Sequence, residues 1–242
     1  MNNIKIGCCG FPVAQSRYYQ NFSLIEINQT FYQLPELKTA VKWGQAAPKG
    51  FEFIIKAWQL ITHPPSSSTY KKLREKIPES RKKYYGHFSQ TDEVKEAWRR
   101  TFEFGELLKT KIYLFQTPAS LRPNVDCITN LYKFFKNIHN RELTFVWEPR
   151  GEWPEDLVVK VCRDLNLIHC VDPLRSKPLH GHIRYYRMHG AYEGHRVVYD
   201  HKYSLSQLNE TLKLSDKPLN YILFNNSNMW QDAVQMKKLI KI

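Results

Sequence analysis

The sequence predicts an α/β protein: an irregular (β/α)8 TIM barrel in one domain, 1–242, with a long insertion after the third strand. Eight short apolar runs alternate with segments that mostly have helical spacing, as in a parallel barrel. No glycine-rich GxGxxG motif follows the first run, which disfavours an open, doubly wound sheet. A length of 242 residues suits one barrel-sized domain or two small ones.

The predicted strands are short runs with branched or aromatic residues at their centres. They are 4–9, 24–28, 51–57, 112–116, 143–148, 167–171, 184–189 and 221–225. In a barrel, helices cover one face of each strand and the interior covers the other, so a polar side chain that points inward is costly. Polar residues near the strand ends are therefore candidates for function.

Apolar residues with helical spacing occupy most of the gaps between these strands. The predicted helices are 35–44, 92–108, 125–138, 154–165, 205–212 and 229–240. Asn124 is a predicted N-cap, and Ser204 forms a predicted capping box with Gln207. The stretch 173–182 has prolines, a glycine and no helical period, so one barrel helix is expected to be missing there.

The connection at 62–91 is too long for an ordinary barrel connection, and we predict an inserted loop with a short helix. It is rich first in Pro and Ser, then in Lys and Arg, and finally in Tyr. Its charged and aromatic residues are Tyr70, Lys71, Lys72, Arg74, Lys76, Arg81, Lys82, Lys83, Tyr84 and Tyr85. The loop is interpreted either as a solvated basic surface or as a surface that contacts a nucleic-acid backbone and stacks on bases.

Charge and cysteine content limit the possible partners. The net charge is +13, which favours nucleic acid or a phosphorylated small molecule, although a highly charged surface alone would also explain it. The five cysteines contain no CxxC pair, and the first run lacks a signal-peptide pattern, so free thiols and a cytoplasmic location are expected. No apolar run approaches the roughly 20 residues of a membrane span, so no membrane association is expected.

The carboxyl ends of barrel strands are where barrel enzymes place their catalytic groups. Glu26 and Asn28 alternate with Ile25 and Ile27 in the second run, so both polar side chains lie on one face. Catalytic roles, in proton transfer or metal binding, are predicted for Glu26, Glu148, Asp172 and His189. Substrate binding is predicted for Asn28, Thr30, Lys56, Gln116, Arg150, Arg187, Asn225 and Asn226.

Three chemistries are compatible with these groups. A divalent metal could be held by the four catalytic candidates with His63, although no HExxH pattern is present. Glu26 and Glu148 could instead form a metal-free acid–base pair, as in sugar chemistry. Lys56 could form a Schiff base, but neighbouring carboxylates would stabilise its charged form. Taken singly, these residues could also be loop caps or structural ion pairs.

Six strand-end motifs run in order along the chain. They are EINQTFYQLP from Glu26, IIKAWQLITH from Ile54, FQTP from Phe115, WEPR from Trp147, RMHG from Arg187 and FNN from Phe224. In this order they resemble the domain-of-unknown-function 72 (DUF72) family, the YecE-like proteins. Two positions depart from the family pattern: Phe11 replaces a tryptophan, and Ala119 replaces a second proline.

The resemblance implies an irregular barrel with a polar pocket at its carboxyl rim and no established reaction. Such a barrel is similar to those of endonuclease IV and the xylose isomerase-like enzymes, an analogy of fold alone. The leading hypothesis is an enzyme acting on a phosphate-containing substrate, first of all nucleic acid, by phosphodiester hydrolysis. The alternatives are a metal-free sugar-phosphate isomerase or lyase, and a non-catalytic nucleic-acid-binding protein.

Overall fold

The computed structural model describes residues 2–194 and 196–240. The strands are β1 (Asn3–Cys8), β2 (Leu24–Ile27), β3 (Glu52–Lys56), β4 (Ile112–Gln116), β5 (Thr144–Glu148), β6 (Leu167–Val171), β7 (Arg184–Met188), β8 (Ala191–Glu193), β9 (Arg196–Val198) and β10 (Leu219–Phe224). Within the described residues, eight of them form one sheet in the order β1-β10-β7-β6-β5-β4-β3-β2, and β8 pairs with β9 in an antiparallel hairpin.

This strand order is that of a (β/α)8 barrel, and the predicted fold class is confirmed. The pairs β1–β10, β10–β7, β6–β7, β3–β4 and β4–β5 are parallel. Beyond the end of β1, Cys9 forms an isolated parallel bridge with Glu26 of β2, so the first and last strands of the order are joined. Each of the eight predicted strands is present, with its ends shifted by two residues at most.

The helices confirm the predicted pattern and add short ones to it. The α-helices are α1 (Gln15–Tyr19), α2 (Gln29–Tyr32), α3 (Leu37–Ala46), α4 (Gln59–Thr62), α5 (Asp92–Leu107), α6 (Val125–Asn137), α7 (Glu155–Leu165), α8 (Leu205–Lys213) and α9 (Met229–Leu239). Asn124 caps α6, and Ser204 forms the predicted capping box with Gln207. Residues 172–183, all of them described, contain no helix, as expected.

The sequence did not reveal α1, α2, α4 or the β8–β9 hairpin. Helices of four or five residues are too short to show a hydrophobic period, and strands of three residues are too short to show an alternation. In the insertion, the expected short helix is instead two 3-10 helices, η1 (Ser68–Lys72) and η2 (Glu79–Tyr84).

Contacts divide the chain into two compact units. The first unit comprises the described residues of 1–26, 47–52 and 168–242, and the second comprises 27–46 and 53–167. Whether 1–242 behaves as one domain stays a prediction.

Two further expectations concern thiols and membranes. All five cysteines, each in the described part of the chain, are buried free thiols. Across 2–194 and 196–240, no helix combines the length and the apolar character needed to cross a bilayer.

Candidate functional site

The first unit contains a buried ion pair that joins β2 to β7. The Arg187 guanidinium donates to both Glu26 oxygens, through Nε at 3.1 Å and through Nη2 at 2.8 Å, and both side chains have no exposed surface. The Tyr185 hydroxyl donates to the same carboxylate at 2.8 Å. Nη2 of Arg187 also lies 3.8 Å from Sγ of Cys9. Burial and the Glu26 carboxylate raise the pKa of the Cys9 thiol well above its usual value, which favours its protonated form.

The ion pair continues into His189 and Asp172. Nη1 of Arg187 lies 3.2 Å from Nε2 of His189, and because a guanidinium can only donate, Nε2 accepts this hydrogen bond. The ring proton of a neutral His189 is therefore on Nδ1, which is 3.6 Å from Oδ2 of Asp172. Arg187 thus sets the tautomer of His189, and Glu26 holds Arg187 in place.

Asp172 collects donors from three parts of the first unit. Its Oδ2 accepts from the backbone N–H of His189 at 3.0 Å and from the hydroxyl of Tyr192 at 3.2 Å, while Oδ1 accepts from the N–H of Leu174 at 3.2 Å. Tyr192 belongs to the β8–β9 hairpin, so the hairpin is attached to the cluster through this carboxylate. The Arg175 guanidinium lies over the same tyrosine, 4.3 Å from the Tyr192 ring centroid, in a cation–π contact.

The amides after β10 have contacts of a different kind. The backbone N–H of Asn225 donates to Met188 O at 2.8 Å. The side-chain nitrogen of Asn226 donates to His201 O and to Oδ2 of Asp232, each at 2.7 Å. Burial raises the pKa of Asp232. Both donor hydrogens of the Asn226 amide therefore serve the surrounding loop and α9, and its role in substrate binding stays a prediction.

The second unit has a separate polar cluster at the end of β3. The Lys56 ammonium donates to Oε1 of Gln116 at 2.7 Å and lies 4.1 Å from the centroid of the Phe31 ring. The Thr30 hydroxyl is within 2.7 Å of the backbone oxygens of Ile27 and Lys56, so it ties α2 to this strand end. Lys56 is 5% exposed, and its ammonium is therefore held in one place on an aromatic face.

His63 lies beside this lysine, and its backbone oxygen is a point of attachment for the inserted loop. Its ring meets the Phe31 ring edge to face at 4.8 Å, and Nδ1 lies 2.8 Å from the Thr62 hydroxyl. Burial, the charge of Lys56 and the charge of His87 lower the pKa of His63 to about 3, in that order of importance. The ring is therefore neutral at physiological pH.

The basic segment, which we define as residues 70–85, is attached to the second unit at both ends. At its start, the Tyr70 hydroxyl donates to His63 O at 2.9 Å, and burial raises the pKa of Tyr70. At its end, the Gly86 N–H donates to Leu60 O at 2.8 Å. Gly86 has φ +83°, and a Cβ there would lie 2.3 Å from His63 O. Only glycine therefore fits at this position, where the chain leaves the basic segment.

Most cations of the basic segment have no acidic partner. Arg81 pairs with Glu93 at 2.7 Å, and Lys82 pairs with Glu79 at 2.6 Å. In the part of the chain that the structure describes, the other five cations form no salt bridge and are exposed. They are Lys71, Lys72, Arg74, Lys76 and Lys83. The surface of the basic segment therefore carries an excess of positive charge and is not a network of ion pairs.

The remaining predicted residues of the second unit also lie near strand ends. Nη2 of Arg150 is 2.6 Å from Oε1 of Glu148, so the two form an ion pair just after β5. The Arg150 side chain is 24% exposed and that of Glu148 is 4% exposed, so the guanidinium is the accessible partner. Asn28 is half-buried and immediately precedes α2.

The structure thus brings predicted residues together in three groups. Glu26, Asp172, Arg187 and His189 form one group in the first unit. In the second unit, Lys56 contacts Gln116, and Arg150 pairs with Glu148. Their catalytic and binding roles stay predictions. Sequence reasoning missed Tyr185 and Tyr192. Tyr185 was within reach, because it shares a strand face with Arg187.

The donor set does not favour a metal centre. Across the described ranges, no three His, Cys, Asp or Glu side chains are grouped so that they could hold a metal ion. Both oxygens of Glu26 already accept hydrogen bonds, and a guanidinium cation lies against them. A second cation at this carboxylate would meet electrostatic repulsion, so the residues present do not fit a metal here.

Comparison with known proteins gives a family and a fold. A family model described as "Protein of unknown function DUF72" matches residues 15–241. A DUF72 family protein from Enterococcus faecalis V583 has a similar crystal structure, with 19% identity, a TM-score of 0.71 and coverage of 100% of this chain and 99% of that one. No curated protein matches the sequence.

Two other solved structures have the same fold at lower identity. A xylose isomerase domain containing protein from Salmonella typhimurium LT2 is 9% identical, with a TM-score of 0.62 and coverage of 98% of this chain and 95% of that one. Endonuclease IV from Thermus thermophilus is 10% identical, with a TM-score of 0.53 and coverage of 98% of this chain and 97% of that one. At these identities the likeness concerns the fold alone.

Proposed function

The chain belongs to the DUF72 family of proteins of unknown function, and from this premise we propose that it acts on a phosphate-containing substrate, with nucleic acid as the first candidate and phosphodiester hydrolysis as the reaction. One observation carries the proposal: the basic segment is attached to His63, which contacts the same Phe31 ring that holds the Lys56 ammonium.

The first step of the argument concerns Lys56. Its ammonium is almost fully buried at a strand end, and it is placed by an amide oxygen and an aromatic face. The Gln116 amide and the Phe31 ring carry no net charge, so neither of these two contacts neutralises the ammonium. A phosphate oxygen is the kind of anion that a lysine so placed binds as a point charge. Arg150, the accessible member of its ion pair, is proposed as a second phosphate contact.

The second step concerns the basic segment. Five exposed cations without salt bridges attract the phosphates of a nucleic-acid backbone, because each contact releases condensed counterions. Hydrogen bonds from Arg74 N at 2.9 Å and Glu75 N at 3.3 Å to Oε1 of Gln33 fix the middle of the segment. The charges in the middle of the segment are therefore held next to the end of α2.

The third step concerns the buried cluster of the first unit. We propose that Asp172 and His189 carry out proton transfer in the reaction. Arg187 and Glu26 are proposed to position these two side chains. Support comes from the hydrogen bond that fixes the His189 tautomer and from the complete burial of the Glu26–Arg187 pair. Glu148 is retained as a further candidate for proton transfer, and Asn28 and Asn225 as candidates for orienting the substrate.

Binding to nucleic acid tests the proposal. We expect the full chain to bind labelled oligonucleotides with log K falling linearly as log[KCl] rises from about 50 to about 300 mM. A variant with Lys71→Gln, Lys72→Gln, Arg74→Gln, Lys76→Gln and Lys83→Gln should bind about 10- to 100-fold more weakly at low salt, with a slope smaller by about 3–4, because these phosphate contacts are lost. Fluorescence anisotropy measures both quantities.

The matched control removes the same charge elsewhere on the surface. It carries glutamine at five other exposed lysines that form no salt bridge within the described residues: Lys42, Lys49, Lys133, Lys136 and Lys213. Equal binding by the two variants, or binding that does not depend on salt, would contradict the proposal. Cleavage of an end-labelled strand would identify a hydrolase, and tight binding without cleavage would identify the non-catalytic alternative.

A further inference from the structure

We infer that the basic segment binds single-stranded nucleic acid and that an unpaired base stacks on the Tyr84 ring. This inference rests on the proposed function and narrows its substrate class. It depends on which tyrosines of the segment are accessible, on where its lysines lie relative to aromatic rings, and on the backbone conformation that presents them.

The first observation is the exposure of Tyr84. Tyr70 donates its hydroxyl to His63 O and is half-buried, and Tyr85 is half-buried. Tyr84 is 38% exposed, which makes it the most open ring among the three tyrosines of the segment, all of which the structure describes. An exposed aromatic ring within a cluster of cations is the arrangement on which unpaired bases stack.

The second observation is that lysine ammonium groups lie over aromatic rings in the basic segment and next to it. Nζ of Lys83 lies 5.0 Å from the centroid of the Tyr84 ring, and Nζ of Lys72 lies 4.3 Å from that of Tyr32. A lysine beside a stacking ring can bind the phosphate of the nucleotide whose base lies on that ring. An arrangement with one cation beside each ring fits a bound single strand whose bases face the protein while its phosphates stay at the surface.

The third observation is the backbone between the two 3-10 helices. Residues 73–78 form no regular helix or strand, and η1 and η2 are five and six residues long. The major groove of a duplex admits an α-helix or a two-stranded ribbon, whose side chains read the base pairs. Within the described segment 70–85 neither element is present, so the segment lacks these means of reading a duplex.

The fourth observation is that Tyr84 is held in position. The Thr91 hydroxyl donates to Tyr84 O at 2.6 Å, and the Gly86 N–H donates to Leu60 O. The backbone at Tyr84 and just after it is therefore fixed before any ligand binds. A preorganised ring loses less entropy on stacking than one on a mobile loop.

The experiment compares one oligonucleotide sequence as single-stranded DNA, single-stranded RNA and duplex DNA at a constant salt concentration. We expect the wild-type chain to bind the single strands at least about tenfold more tightly than the duplex. Tyr84→Ala should weaken single-strand binding by about tenfold, the loss of one stacked base, and leave duplex binding unchanged. Tyr84→Phe keeps the stacking face and should bind like the wild type.

Tyr199→Ala serves as the control, because Tyr199 is a 48% exposed tyrosine outside the basic segment. It should bind both forms like the wild type. Preference for the duplex, or an equal effect of Tyr84→Ala on both forms, would overturn the inference while leaving the proposed function in place. Failure of the wild-type chain to bind any of the three oligonucleotides would overturn both. The DNA and RNA arms show which sugar the segment prefers.

Discussion

Replacement of Arg187 by methionine is expected to lower the free energy of unfolding by about 3–5 kcal/mol at neutral pH. The wild-type guanidinium makes two hydrogen bonds to a carboxylate that has no exposed surface. In Arg187→Met, Glu26 keeps the hydroxyl of Tyr185 as a donor but loses the opposite charge. A buried carboxylate without its cation is strongly destabilising, so the loss should exceed that of an ordinary core substitution. Urea unfolding followed by circular dichroism measures it.

A matched control lies on the same strand. Arg184 of β7 also forms a two-point ion pair, with Asp216 at 2.6 and 3.0 Å, but the Asp216 side chain is 57% exposed. Arg184→Met should therefore cost about 1 kcal/mol or less. The double variant Glu26→Met, Arg187→Met leaves no unpaired charge and should be more stable than Arg187→Met alone. Equal losses in Arg187→Met and Arg184→Met would show that the buried pair has no special role.

The fold could be predicted because its signals are local. A strand such as β4 has an apolar run between turn residues, and a helix such as α6 has both a hydrophobic period and an asparagine cap. The short α2 and α4 lack such signals, since four residues show no period. Their presence depends on tertiary contacts, among them the bond from Nε2 of Gln59 to Tyr32 O at 2.7 Å.

The candidate site could be predicted only in part. Alternation places Tyr185, Arg187 and His189 on one face of a strand, so their convergence was within reach of the sequence. The partner of Arg187 was not, because Glu26 lies 161 positions away along the chain. The sequence could suggest a surface for 62–91, but not that Tyr70 attaches the loop to His63. Such pairings are set by the three-dimensional packing of distant segments.

The stability of the chain is expected to decrease below pH 6.5 in a way that depends on His63. Its pKa is lowered to about 3 in the folded state, while an unfolded histidine titrates near 6.5. Between these values the unfolded state binds more protons, so the free energy of unfolding falls as pH falls through this window. For a shift of this size the loss by pH 4 is about 3 kcal/mol.

His63→Asn isolates this contribution, since it removes the titrating ring and leaves the carboxylates of the chain unchanged. The difference in unfolding free energy between wild type and His63→Asn should shrink by about 3 kcal/mol when the pH is lowered from 7 to 4. The charge of His87 contributes to the lowered pKa of His63, and burial lowers the pKa of His87 as well. The variant His87→Asn therefore measures the contribution of the second histidine separately. A difference that stays constant with pH would mean that His63 is not kept neutral by burial and by Lys56.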